Sequence, residues 1–168
     1  MKIEIYPLEK VVLDGTAICF GMERSFVETL IGQGQLIRNR YYYFNGEIAI
    51  EYNENKVEFI EFLGGADSVY KPIIYSVSAF DTVAEEMVKI LKAQNNGEIC
   101  DTEGGYAYQF LNISIGVYRE IVPEEVAEMI KEANSFGTPM SIDEIEYESK
   151  RANYFATIGA GAVGYYQR

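Results

Sequence analysis

The stretch from Leu36 to Leu63, LIRNRYYYFNGEIAIEYNENKVEFIEFL, constrains the fold of this chain more than any other. Aromatic and β-branched residues favour extended strands, and they concentrate here in three runs, at residues 37–44, 47–52 and 57–62. Asn45-Gly46 suits a two-residue type I′ turn, because both central positions of that turn need a positive φ. Asn53, Glu54 and Asn55 predict a second turn. The stretch is therefore predicted to form an antiparallel three-stranded meander with one face under helices.

Helical signals flank this meander. Apolar residues at helical spacing predict a short helix over about 26–31, before Gly32, and another from a cap at Asp81 or Thr82 to about Gln94. Pro123 opens a third predicted helix. A capping box at 141–144, Ser-Ile-Asp-Glu, predicts a fourth helix to about residue 152. Further strands are predicted over residues 1–13 (broken at Pro7), 106–110, 113–119 and 154–166.

The order of these elements suggests an internal duplication. Tyr41 and Tyr43 correspond to Tyr106 and Tyr108 as the aromatic start of each meander. The repeats cover about 15–64 and about 75–166, and the second contains a helical insertion at 121–152. The predicted fold is α+β: a single domain of two tandem helix-plus-antiparallel-meander repeats, forming one or two sheets with helices on one face. The other face would be a concave, aromatic surface.

The charge of the chain restricts its partners. The net charge is −12, and the pI is about 4.5. Neither nucleic acid nor an anionic membrane is an expected partner, because phosphate binding needs clustered Lys and Arg. A basic protein is the expected partner, although solubility alone also explains an acidic composition. The first residues lack an apolar signal region and no run reaches membrane-span length, so a cytoplasmic protein is expected.

The residues that most often carry catalysis or bind metals are scarce. The chain has no histidine, which excludes a His-activated serine or cysteine nucleophile. Two isolated cysteines, Cys19 and Cys100, argue against a disulfide framework or a zinc site. No metal or cofactor is therefore expected. Carboxylates could still support a hydrolase, with candidates Glu51, Glu58, Glu61 and Asp101.

A glycine-rich run near the end of the sequence, Gly159-Ala-Gly-Ala-Val-Gly164, matches the dinucleotide-binding fingerprint. The fingerprint requires a helix after the glycines to hold the pyrophosphate, and only four residues follow here. The better interpretation is a strand in which Gly159 and Gly161 allow a close approach by a neighbouring element.

Two groups of residues are candidates for partner binding. Tyrosine provides large contact area at low entropic cost, and four strand tyrosines are the first group: Tyr41, Tyr43, Tyr106 and Tyr108. The second group is the densest acidic cluster: Asp143, Glu144, Glu146 and Glu148. Each group has an ordinary alternative, since tyrosine suits half-buried sheets and acidic residues line solvated helices.

The segment FGMERSFVETLIG, followed by a tyrosine-rich strand, resembles the tandem helix–meander repeat of the β-lactamase inhibitor protein-like fold. The resemblance covers about two thirds of the chain and implies a sheet face that grips a protein partner. The signal peptide, lipobox and disulfide pattern of exported relatives are not found in this sequence. An acidic, sheet-faced module is also similar in type to bacterial toxin-immunity proteins.

Together these features favour a non-enzymatic protein-binding module, an immunity-type inhibitor that neutralises a basic partner such as a bacterial toxin. The alternatives are a carboxylate-based hydrolase with its site between the repeats and a structural homo-oligomer.

Overall fold

The computed structural model describes residues 1–101 and 103–167, and within them the chain forms thirteen strands and four helices. The strands are β1 (Ile3–Tyr6), β2 (Lys10–Leu13), β3 (Thr16–Cys19), β4 (Gln35–Ile37), β5 (Arg40–Tyr43), β6 (Ile48–Asn53), β7 (Lys56–Phe62), β8 (Pro72–Ile74), β9 (Val77–Ser78), β10 (Ile99–Cys100), β11 (Ala107–Phe110), β12 (Ile115–Tyr118) and β13 (Thr157–Gly161). The helices are α1 (Arg24–Ile31), α2 (Ala84–Asn95), α3 (Pro123–Ser135) and α4 (Ile142–Asn153).

Eight strands form a large antiparallel sheet in the order β10-β11-β12-β13-β7-β6-β5-β4. The four strands after α1 occupy one half, and the strands after α2 occupy the other half in mirrored order. The halves meet where β7 pairs with β13, with Ile60 opposite Ala160. The predicted α+β class is confirmed, and the predicted meanders of both repeats lie in one sheet.

A second sheet of five short strands has the order β3-β2-β1-β8-β9. It contains a parallel pair, β1 and β8, in which Ile3 lies opposite Pro72. Residues 73–80 had no clear strand pattern in the sequence. They supply part of β8 and all of β9. Each is too short to show alternation, and pairing with a neighbour makes it a strand: β8 pairs with β1, and β9 pairs with β8.

One hydrophobic core joins both sheets and the first two helices. Alternation along the large sheet gives it an inner face, which carries Ile48, Ile50, Ile60 and Phe62, all fully buried. The helices α1 and α2 add Val27, Met87 and Leu91, and the small sheet adds Ile3, Val11 and Ile18. The opposite, outer face carries Ala49, Glu51, Phe59 and Glu61.

The predicted three-stranded meander has four strands. A turn at Arg38, whose φ is 58°, divides the first predicted run, and Ile37 pairs with Arg40 across it. The polar residues Arg38 and Asn39 are exposed in this turn. The sequence pattern did not show this turn, because Leu36 and Ile37 before it and the tyrosines after it all favour a strand.

The prediction of a two-residue turn at Asn45-Gly46 was wrong. Tyr43 pairs with Ile48, so the loop spans four residues, and Phe44, Asn45 and Gly46 all have positive φ. The two-residue connection is the next one, at Glu54-Asn55, where φ is 49° and 64°. The inner-face pairing of Tyr43 with Ile48 fixes this register, since a one-residue slip would reverse every side chain.

Helix boundaries follow the local signals at three of the four helices. Gly32 ends α1 with a φ of 89°, Pro123 opens α3, and Ser141 and Glu144 form the predicted capping box of α4. At α2 the prediction was wrong: the cap is Val83, without a side-chain hydrogen bond. Asp81 instead accepts a hydrogen bond from Ser78 and pairs with Lys71.

The last predicted strand, 154–166, is shorter in the structure. Only Thr157–Gly161 is a strand, and Tyr165 and Tyr166 lie in a 3₁₀ turn that folds back over the large sheet. In the described ranges, no helix is both long and apolar enough to cross a membrane.

Candidate functional site

The predicted tyrosines of the first meander face the core. Register places Tyr41 and Tyr43 on the inner face, opposite Ile50 and Ile48. Tyr43 is only 3% exposed, and its hydroxyl shares a 2.8 Å hydrogen bond with that of Tyr52. Tyr41 is half-buried, with its hydroxyl accepting from Arg24. These side chains support the helix-covered side of the sheet, and Tyr43 has almost no surface left for a partner.

The tyrosines of the second meander lie near the base of the helical insertion. Tyr108 is half-buried on the inner face and packs edge-on against Phe155, with ring centroids 6.3 Å apart. Tyr106 precedes β11, and hydrogen bonding with Glu125 of α3 raises the pKa of its phenol. Tyr43 pairs with Ile48 across a four-residue loop, and Phe110 pairs with Ile115 in the same way, so Tyr43 is equivalent to Phe110 and Tyr41 to Tyr108. The structural alignment of the two repeats is therefore shifted by two residues from the alignment predicted from the sequence.

The acidic cluster lies on α4, where its members have different roles. Glu144 closes the capping box on Ser141, and this contact lowers the pKa of its carboxyl. Glu148 accepts a 2.7 Å hydrogen bond from Arg151. Asp143 and Glu146 are exposed, and neither is in an ion pair within the described part of the chain. Two of the four carboxylates are thus directly available to a partner.

The centre of the outer face of the large sheet is covered by the chain's own tyrosines. Tyr165 stacks on Phe59 with ring centroids 4.5 Å apart and an interplanar angle of 3°, and Tyr166 meets Phe59 edge-on at 6.0 Å. The Tyr165 hydroxyl donates to Glu51 at 2.9 Å. The surface predicted to be an open, concave platform therefore contains a packed aromatic cluster at its centre.

Glycines make room for this cluster. A Cβ built on Gly116 would lie 2.2 Å from the hydroxyl oxygen of Tyr166, and one on Gly159 would lie 2.2 Å from the ring of Phe59. A Cβ on Gly161 would lie 2.6 Å from Tyr165. The glycine-rich run thus permits a close approach, as the sequence indicated, and the approaching groups are aromatic side chains.

The candidate hydrolytic carboxylates are held by other groups. Arg40 binds Glu51 at 2.6 Å and Glu61 at 2.5 Å on the outer face. Burial opposes the charge of Arg40, but the two carboxylates together raise its pKa. Both acids are therefore held in ion pairs with the same guanidinium. Asp101 accepts from the backbone of Gly105, and Glu58 accepts from Asn53.

The helical insert, residues 121–153, is the part of the second repeat without a counterpart in the first. At the equivalent position the first repeat joins β6 to β7 by the Glu54-Asn55 turn. The insert has its own small hydrophobic cluster, formed by Ile121, Val126 and Ala152 with Ile130 packed against them. It is therefore an addition to the sheet, with a separate set of internal contacts.

Large apolar side chains are exposed where α3 and α4 connect. Phe136 is 79% exposed and Ile142 is 74% exposed, and they flank the connecting loop. The acidic residues Glu132 and Asp143 lie close to them in the chain. We call Phe136, Ile142 and the adjacent carboxylates the insert tip. An exposed aromatic residue with a charged rim is typical of an interaction surface.

A cavity of about 360 Å³ lies between the insert and the large sheet. Its lining is mostly apolar and includes three tyrosine rings, Tyr118, Tyr147 and Tyr154. Two ion pairs border it: Lys150 with Asp67 at 2.5 Å, and Arg151 with Glu120 at 2.6 Å. Arg151 also lies over the ring of Tyr147, 5.5 Å from its centroid.

Sequence reasoning missed both the insert tip and the cavity. Phe136 had a local signal, because it precedes Gly137-Thr138-Pro139 and an aromatic residue beside a turn sequence is readily exposed. The cavity had none, since its lining comes from three distant segments around residues 63–67, 118–120 and 147–157. In the described ranges, no group of three or more Cys, Asp or Glu residues is arranged to hold a metal ion.

Several shielded phenols make the folded chain sensitive to alkaline pH. Burial raises the pKa of Tyr43 and Tyr166, and burial with a hydrogen bond raises those of Tyr52 and Tyr165. In the unfolded chain these phenols ionise near pH 10, so the unfolded state loses protons first as pH rises. The free energy of unfolding is therefore retained below about pH 10 and falls above it, by at most about 1.4 kcal/mol per pH unit for each phenol and less where water screens it.

Urea unfolding at a series of pH values checks this dependence, with absorbance at 295 nm reporting ionised phenols. Tyr165→Phe should reduce the alkaline slope, whereas Tyr6→Phe, at an exposed position, should not. Ionisation of every phenol near pH 10 in the folded protein would contradict the prediction.

Comparison with known proteins found no match: no family model matches the chain, and no curated protein or solved structure does so either.

Proposed function

We propose that this chain is a non-enzymatic protein-binding module, an immunity-type inhibitor that neutralises a basic partner such as a bacterial toxin. The helical insert is its contact surface. The observation that carries the proposal is the insert tip, where Phe136 and Ile142 are exposed beside carboxylates. Fold stability does not require these side chains, because the main core forms without them.

Charge supports a basic partner. The insert contains eight acidic and three basic side chains, on a chain whose net charge is −12. A surface of one sign attracts a partner of the opposite sign and speeds its encounter. A second copy of the chain would bring like charges together, so the same surface disfavours self-association through the insert.

The apolar and acidic residues would contribute differently to binding. Phe136 can bury its ring in a pocket of the partner, and central aromatic anchors typically dominate interface energy. Asp143 and Glu146 lie at the rim, where charges mainly affect the association rate. Salt should therefore slow association strongly and affect dissociation weakly.

The first check is whether a basic toxin domain is encoded beside the gene of this chain. The test is then co-expression with that domain, followed by kinetic measurement of the complex. Asp143→Lys with Glu146→Lys is expected to slow association at least tenfold at low salt. Phe136→Ser is expected to speed dissociation about tenfold or more, because the anchor is lost. Phe136→Ser lies at an exposed position and should leave the unfolding midpoint almost unchanged. Asp143→Lys, in the first turn of α4, should lower the free energy of unfolding by at most about 1 kcal/mol through the helix dipole.

A matched control is Glu9→Lys with Glu54→Lys, which changes the net charge equally at exposed positions outside the insert. This pair should alter association far less than the insert variant. The proposal is contradicted if no complex forms with a basic domain, or if both pairs slow association equally.

A further inference from the structure

The cavity between the insert and the large sheet combines three features suited to one chemical group. Its wall contains the rings of Tyr118, Tyr147 and Tyr154, and carboxylates border it at Asp67 and Glu120. Planar guanidinium groups stack on aromatic faces and bind carboxylates with paired N–H donors. Ammonium groups lack the planarity, and neutral aromatic groups lack the charge.

The chain already holds one guanidinium in this way. Arg151 lies over the ring of Tyr147, and its Nε and Nη2 both donate to Oε2 of Glu120, at 2.8 and 2.6 Å. The contact shows that these side chains can bind a guanidinium by a cation–π contact and ion pairing together. It also uses only part of the acceptor capacity at the cavity.

Two carboxylate oxygens remain for a further donor. Of the two carboxylate oxygens of Glu120, Oε2 is the one that accepts from Arg151. Of the two carboxylate oxygens of Asp67, Oδ1 is the one that accepts from Lys150. In the described contacts, Oε1 of Glu120 and Oδ2 of Asp67 accept no hydrogen bond. A carboxylate can accept about four hydrogen bonds, so a second cation need not displace the first.

The ion pairs around the cavity also carry an unbalanced negative charge. Three carboxylates, Asp67, Glu120 and Glu148, are paired with two cations, Lys150 and Arg151. The adjacent pair of Lys71 and Asp81 is neutral and leaves the excess unchanged. One incoming cation would balance the cluster, whereas an incoming anion would add to the excess.

We propose that this cavity binds the guanidinium group of an arginine side chain presented by the basic partner. The proposal rests on the proposed function for the identity of the partner, and the cavity itself can be tested without it. A cavity of about 360 Å³ can enclose an arginine side chain, since small-ligand pockets begin near this size. Arginine is also among the residues that most often anchor protein interfaces.

The test is a chemical-shift titration of the isotope-labelled protein with Nα-acetyl-arginine amide. The matched probe is Nα-acetyl-citrulline amide, which has the same shape without the charge. Arginine amide is expected to shift the signals of residues 64–67 and Tyr118 in a saturable way, with at least tenfold higher affinity than citrulline amide. Equal affinity for the two probes, or shifts spread over the whole surface, would overturn the proposal.

Variants complete the test. The double variant Asp67→Asn with Glu120→Gln should weaken arginine amide binding at least tenfold. The single variant Asp67→Asn repeats the test with minimal effect on folding, because the side chain of Asp67 is 78% exposed. Glu9→Gln with Glu54→Gln should leave the affinity unchanged. If arginine amide binds as expected and no basic partner is found, the cavity site stands and the proposed function fails. If the insert-tip variants weaken a real complex while arginine amide does not bind, the proposed function stands and the cavity site fails.

Discussion

Replacing Arg119 with Met is expected to lower the free energy of unfolding by about 3 kcal/mol. The side chain of Arg119 is 7% exposed, and its guanidinium joins three parts of the chain. Its Nε donates to the carbonyl of Gly105 at 2.8 Å, and its Nη1 donates to that of Ala152 at 2.8 Å and to Glu85 at 3.0 Å. Met fills much of the same volume but leaves both buried carbonyls without this donor. Urea denaturation followed by circular dichroism measures the loss.

Glu85→Gln is the matched control, because it removes the charged partner and leaves the guanidinium in place. Glu85 is 53% exposed, and a half-exposed ion pair contributes only about 0–1 kcal/mol. A loss for Arg119→Met as small as that for Glu85→Gln would show that the bonds to the carbonyls are unimportant. Because Arg119 binds the end of α4, its replacement should also increase hydrogen exchange in the insert.

Introducing a methyl group at Gly116 is expected to cost about 2 kcal/mol, and removing the ring of Tyr166 should abolish that cost. The new Cβ would lie 2.2 Å from the hydroxyl oxygen of Tyr166 and 2.7 Å from its Cζ. Such overpacking typically costs about 1–3 kcal/mol. A Tyr166→Ala background removes the three atoms nearest the new Cβ, all of them in the Tyr166 phenol, and Ala is then neutral or favoured over Gly by about 0.5 kcal/mol.

A double-mutant cycle of Gly116→Ala and Tyr166→Ala measures this coupling, with an expected interaction energy above about 1 kcal/mol. Gly116→Ala paired with Tyr6→Ala, at an exposed position in the small sheet, should be additive. Additive behaviour of Gly116 and Tyr166 would mean that the aromatic cluster does not cover the outer face in solution.

The sequence predicted those parts of the fold that depend on local interactions. The capping box at Ser141 and the start of α3 at Pro123 rely on residues within one turn of each other, and both are confirmed. The division of the first predicted run at Arg38 depends on the pairing of β4 with β5, and the four-residue loop after Tyr43 depends on register against β6. A strand's own residues specify neither. The parallel pairing of β1 with β8 joins segments about seventy residues apart, beyond any local pattern.

The candidate site was predictable to a similar degree. The acidic residues were correctly placed on one helix, because charge and helical spacing are local properties. Composition does not reveal side-chain contacts, so it could not show that Glu144 is hydrogen-bonded to Ser141 and Glu148 to Arg151. The orientation of Tyr41 and Tyr43 toward the core could not be assigned either, since both faces of the meander carry apolar residues.

The pairing of β7 with β13 has a consequence for synthesis of the chain. Both halves of the large sheet can form from neighbouring hairpins, but the strand that joins them is the last of the thirteen to leave the ribosome. Until then β7 and β12 are both open edges, and unpaired edges invite aggregation. Ile60, Phe62 and Val117 would be exposed along them. A nascent chain paused within the insert is therefore the state in which a chaperone is most needed.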